Sequence, residues 1–587
     1  MDNSKNLATQ IMPNQDNVST YIKASGSLAV IDALLSEQVD TIFGYPGGAI
    51  MPIYDALYDH INSVNHILVR HEQGAIHAAQ GYARVSGKTG VVFATSGPGA
   101  TNLVTGLADA LIDSTPVVCI TGQVFAHLLG TDAFQETDII NITTPITKWN
   151  YQITDAIEIP EILAKAFYIA KSGRPGPVLI DITKNAQLQM FDYKGYRPCI
   201  HVRSYRTKPT PRIEFIERAA SLINSAKKPF VIFGQGVLLG KAEKEFKEFI
   251  EKGGFPAAWT IMGMSAIPTD HPLGVGMLGM HGNYGPNFLT NECDVLIAVG
   301  MRFDDRVTGR LDKYAKQAKI IHLDIDPAEI DKNVQTTVAV WGDCKDTLPM
   351  LTSLIVKNDL STWYKEFEEK KEAEFNAVIR KELNPEKGGM TMGEVIHLLN
   401  ELTNGEAVIV TDVGQHQMVA SRYTKQNHPR SNITSGGLGT MGFALPAAIG
   451  AKFGAPARQV IAIMGDGGAQ MNIQELGTIM QFKPNVKIII LNNCFLGMVR
   501  QWQELFHEKR YSFTDIQSPD FVKVAEAYHI AGKKIDRRED LKNGLITMLN
   551  HPTSYLLEVM VLHEDNVFPM VPQGRGVAEI VLRKEDI

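Results

Sequence analysis

Two short apolar runs in the last third of the chain, residues 459–464 (QVIAIM) and 486–491 (VKIIIL), constrain the fold most. Both read as short buried strands. The first stops at Gly465-Asp466-Gly467-Gly468 and the second at Asn492-Asn493. In an open α/β sheet, ligands sit at the C-terminal ends of the strands. Asp466 and Asn493 would offer two hard oxygens to a magnesium ion, which takes few protein ligands and completes its octahedron with phosphate and water. The glycines would let a diphosphate approach the backbone closely.

Similar runs recur along all 587 residues, alternating with longer helical stretches, and this predicts mostly parallel sheets. The length suits roughly three domains. Strands are predicted at 41–44, 67–70, 90–94, 116–120 and 177–181 in the first block. The second block has them at 230–233, 294–299 and 319–324, and the third at 407–411, the two opening runs and 554–559. A polar, proline-bearing stretch over 196–212 reads as a linker, and the charged segment 363–383 has helical spacing. The predicted fold class is α/β, with three doubly wound domains of mostly parallel sheets over 21–195, 210–356 and 388–565. A flexible tail is expected over 1–20. The tail over 566–587 is polar and Gly-bearing after Pro572 and is expected to be mobile.

A net charge of −7 with no Lys/Arg-rich run argues against nucleic acid as a main partner. No apolar stretch reaches the ~18 residues a membrane helix needs, and the polar N-terminus lacks the core of a secretory signal. The five scattered cysteines, without a CxxC pair, suit a reducing cytoplasm and argue against zinc or iron–sulfur sites.

The GDG…NN pairing resembles the signature of thiamine-diphosphate enzymes. That cofactor needs a carboxylate beside its pyrimidine N1′, and Glu72, in Val69-Arg-His-Glu72-Gln-Gly-Ala, is the candidate. A carboxylate in a first helical turn is also what the helix dipole alone would favour.

Further strings occur in order: Gly44-Tyr-Pro-Gly-Gly48, Ser96-Gly-Pro-Gly-Ala-Thr-Asn102, Gly130-Thr-Asp-Ala-Phe-Gln-Glu136, Arg302-Phe-Asp-Asp-Arg306, Val413-Gly-Gln-His-Gln-Met418 and Met498-Val-Arg-Gln-Trp502. Together they resemble the large catalytic subunits of acetohydroxyacid synthases (acetolactate synthases), from about Tyr21 to near Pro572. The resemblance implies pyrimidine-binding, FAD-binding and diphosphate/Mg-binding domains in that order. It implies decarboxylation of pyruvate on thiamine diphosphate. The resulting hydroxyethyl carbanion/enamine would condense with a second pyruvate, giving 2-acetolactate, or with 2-oxobutyrate, giving 2-aceto-2-hydroxybutyrate. This opens valine, leucine and isoleucine biosynthesis.

The same resemblance implies catalytic roles for Glu72, Gln135 and Lys184. It implies substrate contacts from Arg306, Trp502, Met280, Phe134, Val413 and Met498. Thiamine diphosphate would meet Glu72, Gly48, Gln415, His416, Gly439, Met441, Gly465, Asp466, Gly467, Gly468, Asn493, Phe495, Gly497 and Met498. Asp466, Asn493 and Phe495 would serve the metal, and Met441 would be the wedge that bends the cofactor. FAD would meet Arg174, His281, Gly282, Gly300, Arg302, Arg306, Asp324, Asp326, Asp343 and Cys344. Bottom-up, the FAD segments show only Gly-rich turns after strands, with no GxGxxG. A homodimer or homotetramer with sites shared between subunits, and a separate small regulatory subunit, are also implied. An inactive cofactor-binding scaffold is the alternative of a different class, but Glu72, Asp466 and Asn493 are all present.

Overall fold

The computed structural model describes residues 22–385 and 388–587, so the expected tail over 1–20 lies outside the described residues. The first domain opens with β1 (Ile22–Ser25) and builds a sheet from β2 (Thr41–Gly44), β3 (Asn65–Leu68), β4 (Gly90–Ala94), β5 (Val117–Gln123), β6 (Trp149–Ile153) and β7 (Pro177–Thr183). Its spatial order is 3-2-4-5-7-6. β8 (Met190–Tyr193) returns to pair antiparallel with β1. The middle domain holds β9 (Pro229–Phe233), β10 (Ala257–Trp259), β11 (Gly274–Met277), β12 (Val295–Val299), β13 (Lys319–Asp324) and β14 (Val338–Trp341), in the order 11-10-9-12-13-14. The third holds β15 (Val408–Thr411), β16 (Asn432–Thr434), β17 (Val460–Gly465), β18 (Val486–Asn492), β19 (Ala531–Ile535) and β20 (Tyr555–Met560), in the order 16-15-17-18-20-19.

Every neighbouring pair in these three sheets is parallel. Parallel neighbours need long crossovers, which here are helices covering both faces. This is why β4, β5, β7, β9, β12, β15 and β18 are buried at every residue and are mostly apolar, β4, β9 and β12 without any polar side chain.

Counting strands from the first in each sheet, the first and third domains both run 2-1-3-4-6-5, and the middle one runs 3-2-1-4-5-6. The middle order is that of dinucleotide-binding sheets. The strand order reverses between β2 and β4, between β9 and β12, and between β15 and β17. Those are the crevices where an open sheet accepts ligands.

The first and third domains touch through two Ala/Gly-rich helices, Glu72–Ser86 and Ala444–Gly454. A Cβ on Gly81 would overlap Ala447 O, and one on Gly450 would overlap Ala78 O. The two backbones therefore meet directly, which only hydrogen at these positions allows. The His71 side chain caps the first helix by accepting from Gln73 N (3.1 Å).

Three expectations need correction. β3 is Asn65–Leu68, not 67–70, because Arg70 N leaves the sheet and donates to Glu475 Oε1 of the third domain (3.0 Å). The short or polar strands β1, β6, β8, β10, β11, β14, β16 and β19 were not foreseen. Finally, the C-terminal tail is pinned. Val571 N donates to Met280 O (2.8 Å), Arg310 N donates to Arg575 O (3.2 Å), and Met570 and Val581 bond each other's backbone. Met570, Val571, Val577 and Val581 are buried, so scattered apolar residues anchor a tail that is polar on average. The segment 196–212 carries neither helix nor strand. The charged segment is helical over Ser361–Glu374, then Phe375–Ile379 as a π turn, then Arg380–Leu383.

Candidate active site

At the β2/β4 crevice, Glu72 begins its helix. Its buried carboxylate accepts at Oε2 from Asn102 Nδ2 (2.9 Å). The helix N-terminus favours the anion. A Cβ on Gly99 would stand 3.2 Å from Glu72 Oε1, and one on Gly48 would meet nothing within 4 Å. Ala49 N donates to Thr95 Oγ1 (3.3 Å), tying the Gly47-Gly48 turn to the β4 turn. Gln135 lies against Gly97 with φ +60°, while Phe134 is 88 % exposed. Lys184 follows β7, its Nζ 5.9 Å from the centre of the Phe125 ring. These groups form an open carboxylate-bearing shelf. Among the described residues, no hydrogen bond or ion pair joins Glu72 to the third domain, although Gly74, two residues on, packs against Glu475.

At the β15/β17 crevice the geometry differs. Asp466 is 1 % exposed. Its Oδ2 accepts from Ser518 Oγ (3.0 Å), but its Oδ1 is buried with no protein partner. Burial pushes the carboxyl up to about 6. Asn493 accepts at Oδ1 from Phe495 N (3.2 Å) and donates from Nδ2 to Gln415 Oε1 (3.3 Å). Gln415 Nε2 reaches Gln501 Oε1 (3.0 Å) and Asp565 O (2.9 Å). Gly497 leaves no room for a side chain beside Gln415. His416 is held neutral by burial, down at about 4; its Nε2 is buried without a partner, and its Nδ1 would stand 3.0 Å from a Cβ on Gly465. A Cβ on Gly467 would lie 3.7 Å from Met441 Cε, so Met441 reaches the glycine turn. Phe495 has a hydrocarbon side chain, stacked 4.2 Å from His563. It can meet a cation only through its main-chain carbonyl. An orphaned buried carboxylate oxygen beside an amide oxygen and a glycine turn fits a magnesium-held diphosphate.

A cavity of about 1190 Å³ lies where the three domains meet. It is larger than a drug-sized ligand needs. Its wall includes Arg174, His281, Gly282, Gly300, Arg302, Arg306, Asp324, Asp343 and Cys344, all expected from sequence. It also includes Met280, Val413, Gly439, Met498 and Trp502, so the two expected sets share one chamber. Arg306 keeps a 64 % exposed side chain, loosely paired with Asp305 (3.8 Å) and donating from Nη1 to Met280 Sδ (3.3 Å). Its charge is thus available to the cavity. Burial in this wall pushes Asp324 up to about 7 and holds His281 down at about 3. Asp326 stands behind the wall, pairing with Arg174 Nη1 (3.1 Å), which Glu329 also holds (2.8 Å).

Glu72, Gln135, Lys184 and Phe134 do not reach this cavity. Several wall residues escaped the sequence reading. Gly234-Gln-Gly236 follows β9, and a Cβ on Gly300 (φ +54°) would lie 2.7 Å from Gly236 Cα. The signal was there as Gly234-Gln235-Gly236 with Gly240, at a spacing one residue longer than the usual fingerprint. Val571 to Arg575 of the tail and Gly436 to Leu438 also line it. Asp412, which directly follows β15 and accepts from Gly442 N at both oxygens (3.0 and 3.1 Å), obeys the strand-end rule and could have been found.

Comparison with known proteins agrees with this layout. Residues 24–142 match the thiamine pyrophosphate enzyme N-terminal TPP binding domain, 216–351 the central domain, and 412–559 the C-terminal TPP binding domain. The chain is 45% identical to the acetolactate synthase isozyme 2 large subunit of Escherichia coli (strain K12) over 564 residues, covering 95% of this chain and 99% of that one. It is 46% identical to a probable acetolactate synthase large subunit of Methanocaldococcus jannaschii, covering 95% of each chain. It is 44% identical to the chloroplastic acetolactate synthase 1 of Nicotiana tabacum, covering 95% of this chain and 84% of the other. Among the described residues, no helix is long and apolar enough to cross a membrane. The chain thus belongs to the thiamine pyrophosphate enzymes, in the family of acetolactate synthase large subunits.

Proposed function

We propose that this chain is the catalytic subunit of an acetolactate synthase. It joins two carbons of pyruvate to a second pyruvate or to 2-oxobutyrate, the first common step toward valine, leucine and isoleucine. The observation that carries this is the pair of crevices on two sheets of identical strand order. One presents Glu72 and the other an unpartnered Asp466 Oδ1.

Bound thiamine diphosphate supplies an electron sink next to a carbonyl carbon. Asp466, Asn493 and the Phe495 carbonyl would hold Mg²⁺, and Gly465, Gly467, Gly468 and Gly497 would leave room for the diphosphate. Met441 presses on the cofactor, and His416, Gln415, Gly439 and Gly48 border it. Glu72 would hold and return a proton at the pyrimidine N1′ of the bound cofactor, with Gln135 and Lys184 at the mouth. The Arg306 guanidinium takes the acceptor's carboxylate in a two-pronged grip. Trp502, Met280, Val413 and Met498 form the apolar wall that selects the acceptor and limits water, and Phe134 would join it from a second copy of the chain. Arg174, His281, Gly282, Gly300, Arg302, Asp324, Asp343 and Cys344 would hold FAD along their part of the cavity. Asp326 would belong to the same set, holding Arg174 in place. The exposure of Phe134 and the open shelf around Gly48 favour a second copy as the cover, so the active unit is a homodimer. The name "large subunit" in the relatives favours a small regulatory partner.

The test is a product assay with pyruvate alone and with added 2-oxobutyrate, with and without thiamine diphosphate, Mg²⁺ and FAD. Acetolactate formed by a yellow protein without oxygen consumption is the expected result. Acetyl phosphate with oxygen uptake, or no product at all, would overturn the reading.

A further inference from the structure

Two carboxylates that no step above uses sit at the seam of the first and third domains. Asp109 and Asp113 lie one turn apart on helix Val104–Ile112, Asp113 as its C-cap. They are 0 % and 2 % exposed. A negative charge at the C-terminal end of a helix is opposed by its dipole, and burial adds to the cost. Such a pair persists only where its hydrogen bonds are worth more than that cost.

Nearly all of those bonds go to one loop of the third domain. Asp109 Oδ1 accepts from Ser435 Oγ and from Thr440 Oγ1 (3.0 Å). Asp113 accepts from Gly436 N at Oδ2 (2.9 Å) and from Gly437 N at Oδ1 (2.8 Å). Arg84 balances them, 3.0 Å from Asp113 Oδ2 and 3.9 Å from Asp109 Oδ2, and donates to Thr434 O at the loop's entry. Inside the loop, Thr440 N donates to Ser435 Oγ (2.8 Å). The middle domain closes the third side, because a Cβ on Gly436 would meet the Met262 side chain. The gripped residues thus bracket Leu438 and Gly439, which are exposed and line the cavity, and lead directly into Met441.

We propose that Asp109 and Asp113 are positioning residues: from the first domain they lock the 435–441 loop of the same chain in the shape that presents Gly439 and Met441 to thiamine diphosphate. This rests on the reading of Met441 as the wedge. The cofactor site therefore takes a contribution from the chain's own first domain that is separate from Glu72. A loop this rich in glycine would otherwise sample many shapes, and ordering it in advance removes that cost from cofactor binding.

The test uses the full-length protein loaded with Mg²⁺ and FAD. Dissociation constants for thiamine diphosphate are read from quenching of intrinsic fluorescence, together with kcat and the melting temperature. Asp113→Asn and Thr440→Val should each weaken cofactor binding roughly tenfold or more, the scale of a hydrogen bond to a charged group. The double-mutant cycle of Asp109→Asn with Thr440→Val should be strongly non-additive. Thr478→Val is the control. It removes an equally buried hydroxyl–carboxylate bond at the same seam, Thr478 Oγ1 to Glu475 Oε2 (2.7 Å), without touching the loop. It should lower the melting temperature comparably but leave the dissociation constant unchanged. If Thr440→Val binds the cofactor like Thr478→Val, the inference fails; should Asp113→Asn not fold, Thr440→Val alone decides. Met441→Ala separates this from the wedge reading. A fully active Met441→Ala enzyme sinks the wedge, whereas an impaired one beside an unimpaired Thr440→Val sinks only the clamp.

Discussion

If each site joins the Glu72 shelf of one chain to the Asp466 crevice of another, two dead variants should rescue each other. Glu72→Gln keeps the side chain's shape and can still accept from Asn102. It loses only the charge favoured by the helix N-terminus, about 0.3–1 kcal/mol. Its fold should therefore survive, while removal of an acid–base group lowers kcat by about 10²–10⁴. Asp466→Asn removes a carboxylate whose Oδ1 is buried without a partner, so the cofactor-free protein should melt no lower than wild type. It should nonetheless lose Mg²⁺-dependent cofactor binding. Random reassortment of the two variants in equal amounts makes about half the dimers mixed. Each mixed dimer holds one site with both groups intact and one site with neither. The mixture should regain about one quarter of the wild-type rate, on the assumption of independent two-fold sites. The assay is acetolactate production after co-expression of differently tagged chains and isolation of the mixed species, which should show about half the wild-type rate. Activity of the mixed species no higher than that of the parents would refute the shared-site reasoning and return both halves to one chain.

Three further outcomes follow from named contacts. Gly81→Ala drives a methyl into Ala447 O, so the Glu72–Ser86 and Ala444–Gly454 helices must separate; a loss of about 1–3 kcal/mol should lower the melting temperature, and an unchanged one would mean the seam is loose. Burial holds His77 neutral, at about 3 against 6.5 for the free group. Below pH 6.5 the unfolded chain binds a proton that the folded protein refuses, so stability falls as pH drops toward 3, by about 1.4 kcal/mol per pH unit. His77→Gln should flatten the fall in melting temperature between pH 6.5 and 5, and a slope equal to wild type would rule this out. Trp502→Leu should lower the preference for 2-oxobutyrate over pyruvate, read as product ratio in a competition assay, and an unaltered ratio would remove Trp502 from acceptor selection.

Much of the fold was legible because parallel strands buried on both faces must be continuously apolar. β4, β12, β17 and β18 were found within a residue or two for that reason. Edge strands such as β6 and β19 carry polar residues and gave no such signal. The third-domain crevice was legible because its groups, Asp466 and Asn493, directly follow two such strands. Ser518, which bonds Asp466 from 52 residues away, carried no local mark. The order of the tail was not legible because its average polarity hid Met570, Val571 and Val581, whose burial depends on residues far away in the chain.

By itself the sequence determined the α/β class, the chemistry at the strand ends and, through the order of its motifs, the family. Those properties are local: a run of apolar residues, a turn of glycines and a carboxylate after a strand each act within a few residues. Only the tertiary structure decided that the first and third sheets share one strand order, and that residues of all three domains, Arg174, Arg302 and Trp502 among them, line a single cavity. It also decided that Asp109 and Asp113 grip a loop more than 300 residues away. Such pairings depend on how helices and sheets pack against one another, and one-dimensional spacing carries no record of that distance.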